Sequence, residues 1–133
     1  SNKFAQIKNL MQKKQTGADL IVSDVIKGIE EVKGQDIQIL DLRAVENSVC
    51  DYFVICSGSS NTQVSAIASS VQKLVSKSLK EKPWHVEGSA NAEWILMDYV
   101  HVVVHVFQKQ IREFYDIEGL WADAKIVTIE TTY

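Results

Sequence analysis

The chain is short of the features that mark several protein classes. It has only two cysteines, Cys50 and Cys56. On an extended segment their Cα atoms would lie about 20 Å apart, beyond disulfide reach. They also lack the CxxC spacing of a zinc site. Both are therefore read as reduced thiols, with Cys56 a small core residue. No stretch approaches the roughly 18 consecutive apolar residues of a membrane span. The first residues lack the apolar segment and small-residue cleavage site of a secretory signal, so the expected compartment is the cytoplasm and no membrane partner is expected. There are no repeats, low-complexity tracts or linkers, and the single proline is Pro83. What remains, 133 residues with 46% hydrophobic and 23% charged, has the ordinary balance of one soluble globular domain.

Clustered positive charge is scarce as well. The formal net charge is −3, but residues 1–16 hold Lys3, Lys8, Lys13 and Lys14 with no acid, a net of +4. The remainder then has 14 − 4 = 10 basic residues against 17 acidic ones, a net of −7. Such a body does not suit a phosphate backbone, which needs clustered Lys and Arg, and no direct DNA binding is expected. It suits a basic protein, through complementary fields that steer encounter. The four lysines read as the solvated face of an amphipathic helix.

Apolar periodicity predicts the elements. Residues 3–14 form a helix with Phe4, Ile7, Leu10 and Met11 on one stripe, and Thr16-Gly17 punctuate it. A second helix runs from about Ala18 to Val32, with Val22, Val25, Ile26 and Ile29 inward. Gly34 ends it as a left-handed cap. Ile37 to Leu42 and the more continuously apolar Asp51 to Ser57 are strands. Ser59 or Ser60 caps the next helix, whose stripe is Val64, Ile67, Ala68, Val71, Leu74, Val75 and Leu79. Trp84 to Glu87 is a short edge strand, and Trp94 to Phe107 holds two strands in sequence. Ile111, Phe114, Tyr115, Leu120 and Trp121 mark a pair of short helices. Ile126 to Ile129 alternates but finds no obvious partner, so 125–133 reads as a tail. The fold class is α/β, a mixed β-sheet flanked by helices, with a basic arm at 1–17 and the domain proper at 18–124.

Several constellations invite chemistry. Ser57-Gly58-Ser59-Ser60 sits where a strand turns into a helix, a setting that can hold a phosphate. A nucleotidyltransferase would add two or three carboxylates holding divalent metals, usually as an acid-x-acid pair on the following strand. Here there is only Asp98, and Glu93 falls on the opposite face. The serines therefore read as a structural cap, with a nucleotide-binding or nucleotidyltransferase-like enzyme as the alternative. His101 and His105 flank Val102, Val103 and Val104, a β-branched run that favours a strand. They would lie roughly 13 Å apart there, too far to share one ion, and His85 is isolated. Cys56 or Ser57 with a His and an Asp makes a formal nucleophile set, but no Gly-x-Ser-x-Gly elbow supports it. No catalytic residue, metal or cofactor is expected.

Strand parity offers a binding surface instead. Trp94, Leu96 and Asp98 point one way, and Ile95, Met97 and Tyr99 the other. On the returning strand His101, Val103, His105 and Phe107 oppose Val102, Val104 and Val106, the natural core set. The face bearing Trp, Asp, His and Phe suits a protein interface, which favours aromatic anchors beside a few polar groups. The residues alone equally allow a helix to cover that face and make its aromatics core.

Three motifs carry a resemblance: Cys50-Asp51-Tyr52-Phe53-Val54-Ile55-Cys56-Ser57-Gly58, the run WILMDYVHVVVHVF from Trp94 to Phe107, and Phe114-Tyr115-Asp116-Ile117-Glu118-Gly119-Leu120-Trp121. Together they resemble the ribosomal silencing factor family (RsfS, or Iojap) over roughly residues 18–124. Matched family features include Asp51, Gly58, Trp94, Asp98, His105, Glu118 and Trp121. The resemblance implies a nucleotidyltransferase-like fold without the catalytic carboxylates. It implies a non-catalytic factor that binds the fourteenth protein of the large ribosomal subunit and sterically blocks the small one, damping translation under nutrient limitation. It also implies a capacity to form homodimers when free. The contact is expected on the hairpin, at Trp94, Leu96, Asp98, Tyr99, Val100, His101, His105 and Phe107. One departure stands out: the family usually has Gly-Asp after Asp-Tyr, and this chain has Val100-His101. A two-residue hairpin turn commonly needs positive φ, which Val resists, so a wider or displaced bend is expected.

Overall fold

The computed structural model describes residues 3–133, with the side chains of residues 4–16 left out of the description. The stripe of Phe4, Ile7, Leu10 and Met11 therefore lies outside the described residues. The chain begins with one helix, α1 (Lys3–Glu31), where two were expected. Gly17 does not break it, because a lone interior glycine costs only about 1 kcal/mol and no proline removes a donor. Ala18, Ile21, Val22, Val25 and Ile29 of α1 are buried.

Its end corrects the expected glycine cap. Lys33 takes the left-handed conformation at φ 58°, and the Gly34 N–H donates to the Ile29 carbonyl at 2.9 Å, closing the turn one residue beyond the cap. Gly34 is needed for space: a Cβ there would sit 2.3 Å from Ile29 Cγ2.

The strands β1 (Gln35–Asp41) and β2 (Tyr52–Gly58) precede α2 (Asn61–Leu79). Ser60 is the N-cap of α2, its hydroxyl accepting from the Gln63 N–H. Then come β3 (His85–Glu87), β4 (Trp94–Asp98) and β5 (Val102–Gln108), the short helices α3 (Lys109–Tyr115) and α4 (Ile117–Leu120), and β6 (Lys125–Thr128). The six strands form one sheet in the order β3-β4-β5-β2-β1-β6. Only β2 and β5 pair in parallel, and every other neighbour is antiparallel. This is a mixed α/β fold, as the pattern of elements predicts. The loose tail is corrected, however. Residues 125–128 pair with β1, Lys125 opposite Asp41 and Thr128 opposite Gln38, and the Tyr133 hydroxyl donates to the Gly34 carbonyl at 2.6 Å.

The sheet is covered unequally. Helices α1 and α2 seal one face over Val54, Cys56, Ile95, Met97, Tyr99, Val102, Val104 and Val106. The other face holds a smaller core of Leu40, Leu42, Phe53, Ile55, Val103 and Phe107, topped by Ile117 and partly by Trp121. Only short helices and the loop after β1 protect it. That asymmetry leaves apolar side chains near the β4 edge for solvent.

Candidate functional site: the hairpin and its aromatic flank

The β4–β5 hairpin pairs Trp94 with Phe107, Leu96 with His105 and Asp98 with Val103. Its turn is the tight two-residue one, and Val100 itself takes φ 76°. The expectation of a wider or displaced bend is thus overturned. Tyr99 N–H donates to the Val102 carbonyl at 2.8 Å, and His101 N–H donates back to the Tyr99 carbonyl at 3.0 Å. An i to i+2 bond around a central residue of positive φ is a strained γ-turn, and a β-branched residue there is an outlier. Two groups hold it. Asp98 Oδ1 accepts the Val100 N–H at 2.7 Å. The His101 carbonyl accepts the N–H groups of Asp51 at 2.9 Å and Tyr52 at 3.1 Å, tying the tip to the start of β2. The His101 Nδ1 lies 3.6 Å from Asp51 Oδ2. Asp51 and Asp98 thus flank a protruding Val100, an acidic tip with an apolar point. Beneath it the Cys50 thiol is pushed up to about 12, chiefly by burial, with the two aspartate charges adding to the shift.

At the other end of β4 lies an aromatic cluster. The Trp94 ring stacks on Phe107 at 4.7 Å between centroids and meets Tyr115 of α3 at 5.0 Å. Phe114 meets Tyr115 edge-on at 5.1 Å. Phe114 is 75% exposed, Tyr115 51% and, on α4, Leu120 77%. The sequence reading used these three only to mark a pair of short helices and gave them no place in the contact. They overhang because α3 is only seven residues long and buries none of them fully. The available signal was quantity: two adjacent large aromatics exceed what one short helix can cover.

The indole N–H of Trp94 points inward and donates to His105 Nδ1 at 3.1 Å. His105 is 4% exposed. Its ring stacks against Phe107 at 6.1 Å and meets Phe53 edge-on at 4.6 Å. Because an indole can only donate, Nδ1 must be the acceptor and the neutral ring carries its proton on Nε2. That Nε2 is buried and finds no partner among the described residues. Burial pushes the His105 pKa down to about 4, so the ring is neutral near pH 7. The bond to Trp94 contributes about 0.5–1.5 kcal/mol, whereas an unpaired buried N–H costs about 1–3 kcal/mol.

Of the eight expected contact residues, Trp94, Leu96, Asp98 and His101 are half-buried and Val100 is exposed. Three are corrected. Tyr99 faces the α1–α2 side among Ile95 and Met97, while His105 and Phe107 are buried beneath Trp94 and α4. They form no surface here; the histidine and phenylalanine support the residues that do.

The other constellations are engaged internally. Ser60 caps α2, Ser59 donates through N–H and hydroxyl to Gln63 Oε1 at 2.6 and 2.8 Å, and Ser57 Oγ accepts from Arg112 Nη1 at 2.9 Å. Arg112, to which the sequence reading gave no role, also donates to Glu118 Oε1 at 2.6 Å and to the Asp36 carbonyl at 2.6 Å. It clamps α3 and α4 to the ends of β1 and β2, and so fixes the helices that carry Phe114, Tyr115 and Leu120. The Cys56 thiol is pushed up to about 12 by burial, so neither cysteine offers a thiolate nucleophile near pH 7. Among the described residues no three His, Cys, Asp or Glu side chains converge to hold a metal, and no helix is long and apolar enough to cross a membrane.

Comparison with known proteins places this architecture. The family model described as "Ribosomal silencing factor during starvation" matches residues 14–132. The protein named ribosomal silencing factor RsfS of Halalkalibacterium halodurans is 35% identical over 105 residues, which span 79% of this chain and 88% of that one. A mouse protein named mitochondrial assembly of ribosomal large subunit protein 1 is 29% identical over 108 residues, 79% of this chain and 46% of that one. A crystal structure from Chromobacterium violaceum superposes with a TM-score of 0.74 at 35% identity, covering 85% of this chain and 92% of its own. The chain belongs to the ribosomal silencing factor family.

Proposed function

We propose that this chain is a non-catalytic repressor of translation that acts by occupying space in the cytoplasm. It binds the large ribosomal subunit through that subunit's fourteenth protein and stands where the small subunit would join, damping translation when nutrients are limiting. The half-buried Trp94, with Tyr115 and Phe114, supplies the apolar centre of the contact, and Asp98, Val100 and His101 with Asp51 supply its polar tip. One observation carries the reading: β4 has partly exposed aromatic rings at one end and an acidic hairpin tip at the other, on a chain whose family is named for ribosomal silencing. Buried aromatic anchors beside charged groups are the usual energetic centre of a protein interface, and an acidic surface suits a basic ribosomal protein.

The test is subunit joining followed by sedimentation. Purified protein in excess over large subunits should co-sediment with them and deplete the joined particle. Trp94→Ala should weaken that binding by about tenfold or more while the domain stays folded. Unchanged joining, with no protein on the large subunit, would overturn the reading.

A further inference from the structure

A histidine is a costly way to fill the centre of an aromatic core. At position 105 a phenylalanine would meet Phe53 and Phe107 with no ring nitrogen to satisfy, whereas Nε2 here has no partner among the described residues. The imidazole does one thing a phenyl ring does not: its Nδ1 accepts the indole N–H of Trp94. Without that acceptor the polar edge of a half-buried indole gains most by turning toward water. With it the N–H stays inside, while the indole meets the half-exposed Tyr115 ring on its outer side, 5.0 Å between centroids. Phe107 stacks on both rings and holds the imidazole itself in one orientation.

We propose that His105 is a positioning residue for the docking surface, fixing the Trp94 indole through its N–H so that an apolar edge, rather than a hydrogen-bond donor, is presented to the partner. This deepens the reading of the previous subsection and rests on it for the docking surface. The partner must then offer an apolar recess at that point, not an acceptor. His105 acts through Trp94 and touches no partner atom, consistent with its burial.

The test uses the full chain with 15N-labelled indoles, whose three signals belong to Trp84, Trp94 and Trp121 and are assigned with Trp94→Phe. In the wild type the Trp94 indole N–H should exchange slowly with solvent. His105→Phe should speed that exchange and weaken large-subunit binding, each by about tenfold or more, without lowering the urea midpoint at pH 7. His105→Asn places an acceptor near the Nδ1 position. It should keep the slow exchange and bind within about threefold of wild type, even if the smaller side chain lowers the midpoint. Those two splits, binding without stability and rescue by the acceptor, would not arise from mere core filling. Wild-type binding or wild-type indole exchange in His105→Phe overturns the proposal, as does a His105→Asn variant that behaves like His105→Phe. If the wild type itself does not bind large subunits, the docking reading falls. The indole exchange of the free protein then still decides whether His105 holds the ring.

Discussion

Val100 stores strain at the exposed point of the molecule. Its φ of 76° would cost an L-residue about 1–2 kcal/mol and a β-branched one more, while its half-exposed side chain buries little. Glycine accepts the conformation but loses about 0.5–1 kcal/mol of chain entropy on folding. Relief therefore exceeds cost, and Val100→Gly should stabilise the domain by about 1 kcal/mol in urea unfolding. A lower midpoint would mean that the turn is not strained as described. His105 sets a second residue-scale prediction. Its pKa falls from an ordinary value near 6.5 to about 4 on folding, so between those values the unfolded chain binds the extra proton. Stability is thus full above about pH 6.5 and declines as pH falls toward 4, by up to about 3 kcal/mol in all. Acid unfolding of His105→Phe should lack that component, giving a shallower loss between pH 6.5 and 4.

Among the elements, α1 depends on what its glycines face. At Gly28 a Cβ would stand 2.8 Å from the Val71 Cα, a backbone atom of α2, whereas at Gly17 nothing among the described residues lies within 4 Å. Alanine gains about 1 kcal/mol of helix propensity at either position. At Gly28 it also forces two helices apart, an overpacking cost of about 1–3 kcal/mol that no rotamer change relieves. Gly28→Ala should therefore destabilise and Gly17→Ala stabilise, by up to about 1 kcal/mol, in thermal or urea melts. Two changes of the same sign would show that α1 and α2 do not cross at Gly28 as closely as described. Most elements were legible in sequence: the α2 stripe, its Ser60 cap and both hairpin strands lie where periodicity and capping put them. The missed element, β6, pairs with a strand more than 80 residues earlier, and no local pattern encodes so distant a partner. The single α1 was missed because Gly17 is a weak breaker, not a stop.

For the molecule as a whole, net charge sets how partners are approached. A net of −3, divided as +4 over residues 1–16 and −7 over the rest, makes the body that carries the hairpin tip acidic. If that body meets a basic ribosomal protein, attraction acts mostly before contact, while the aromatic centre governs departure. Association with the isolated fourteenth protein should slow by about tenfold as salt rises from roughly 0.05 to 0.5 M, with dissociation changing far less. Stopped-flow mixing measures both, and a salt-independent association rate would remove charge from the account.

The amino-acid sequence by itself determined the α/β class and the parity of the hairpin strands, because these follow from local period and residue type. Strand parity told which side chains share a face, and it held for Ile95, Met97, Val102, Val104 and Val106 and for Val103 on the opposite face. Which face stays open was decided only by tertiary structure. Two long helices cover one side of the sheet and two short ones only part of the other, so His105 and Phe107, expected at the contact, are buried while Phe114, Tyr115 and Leu120 lie in water. Burial depends on the area that non-local elements cover, and that area is a property of the assembled fold, not of any segment within it.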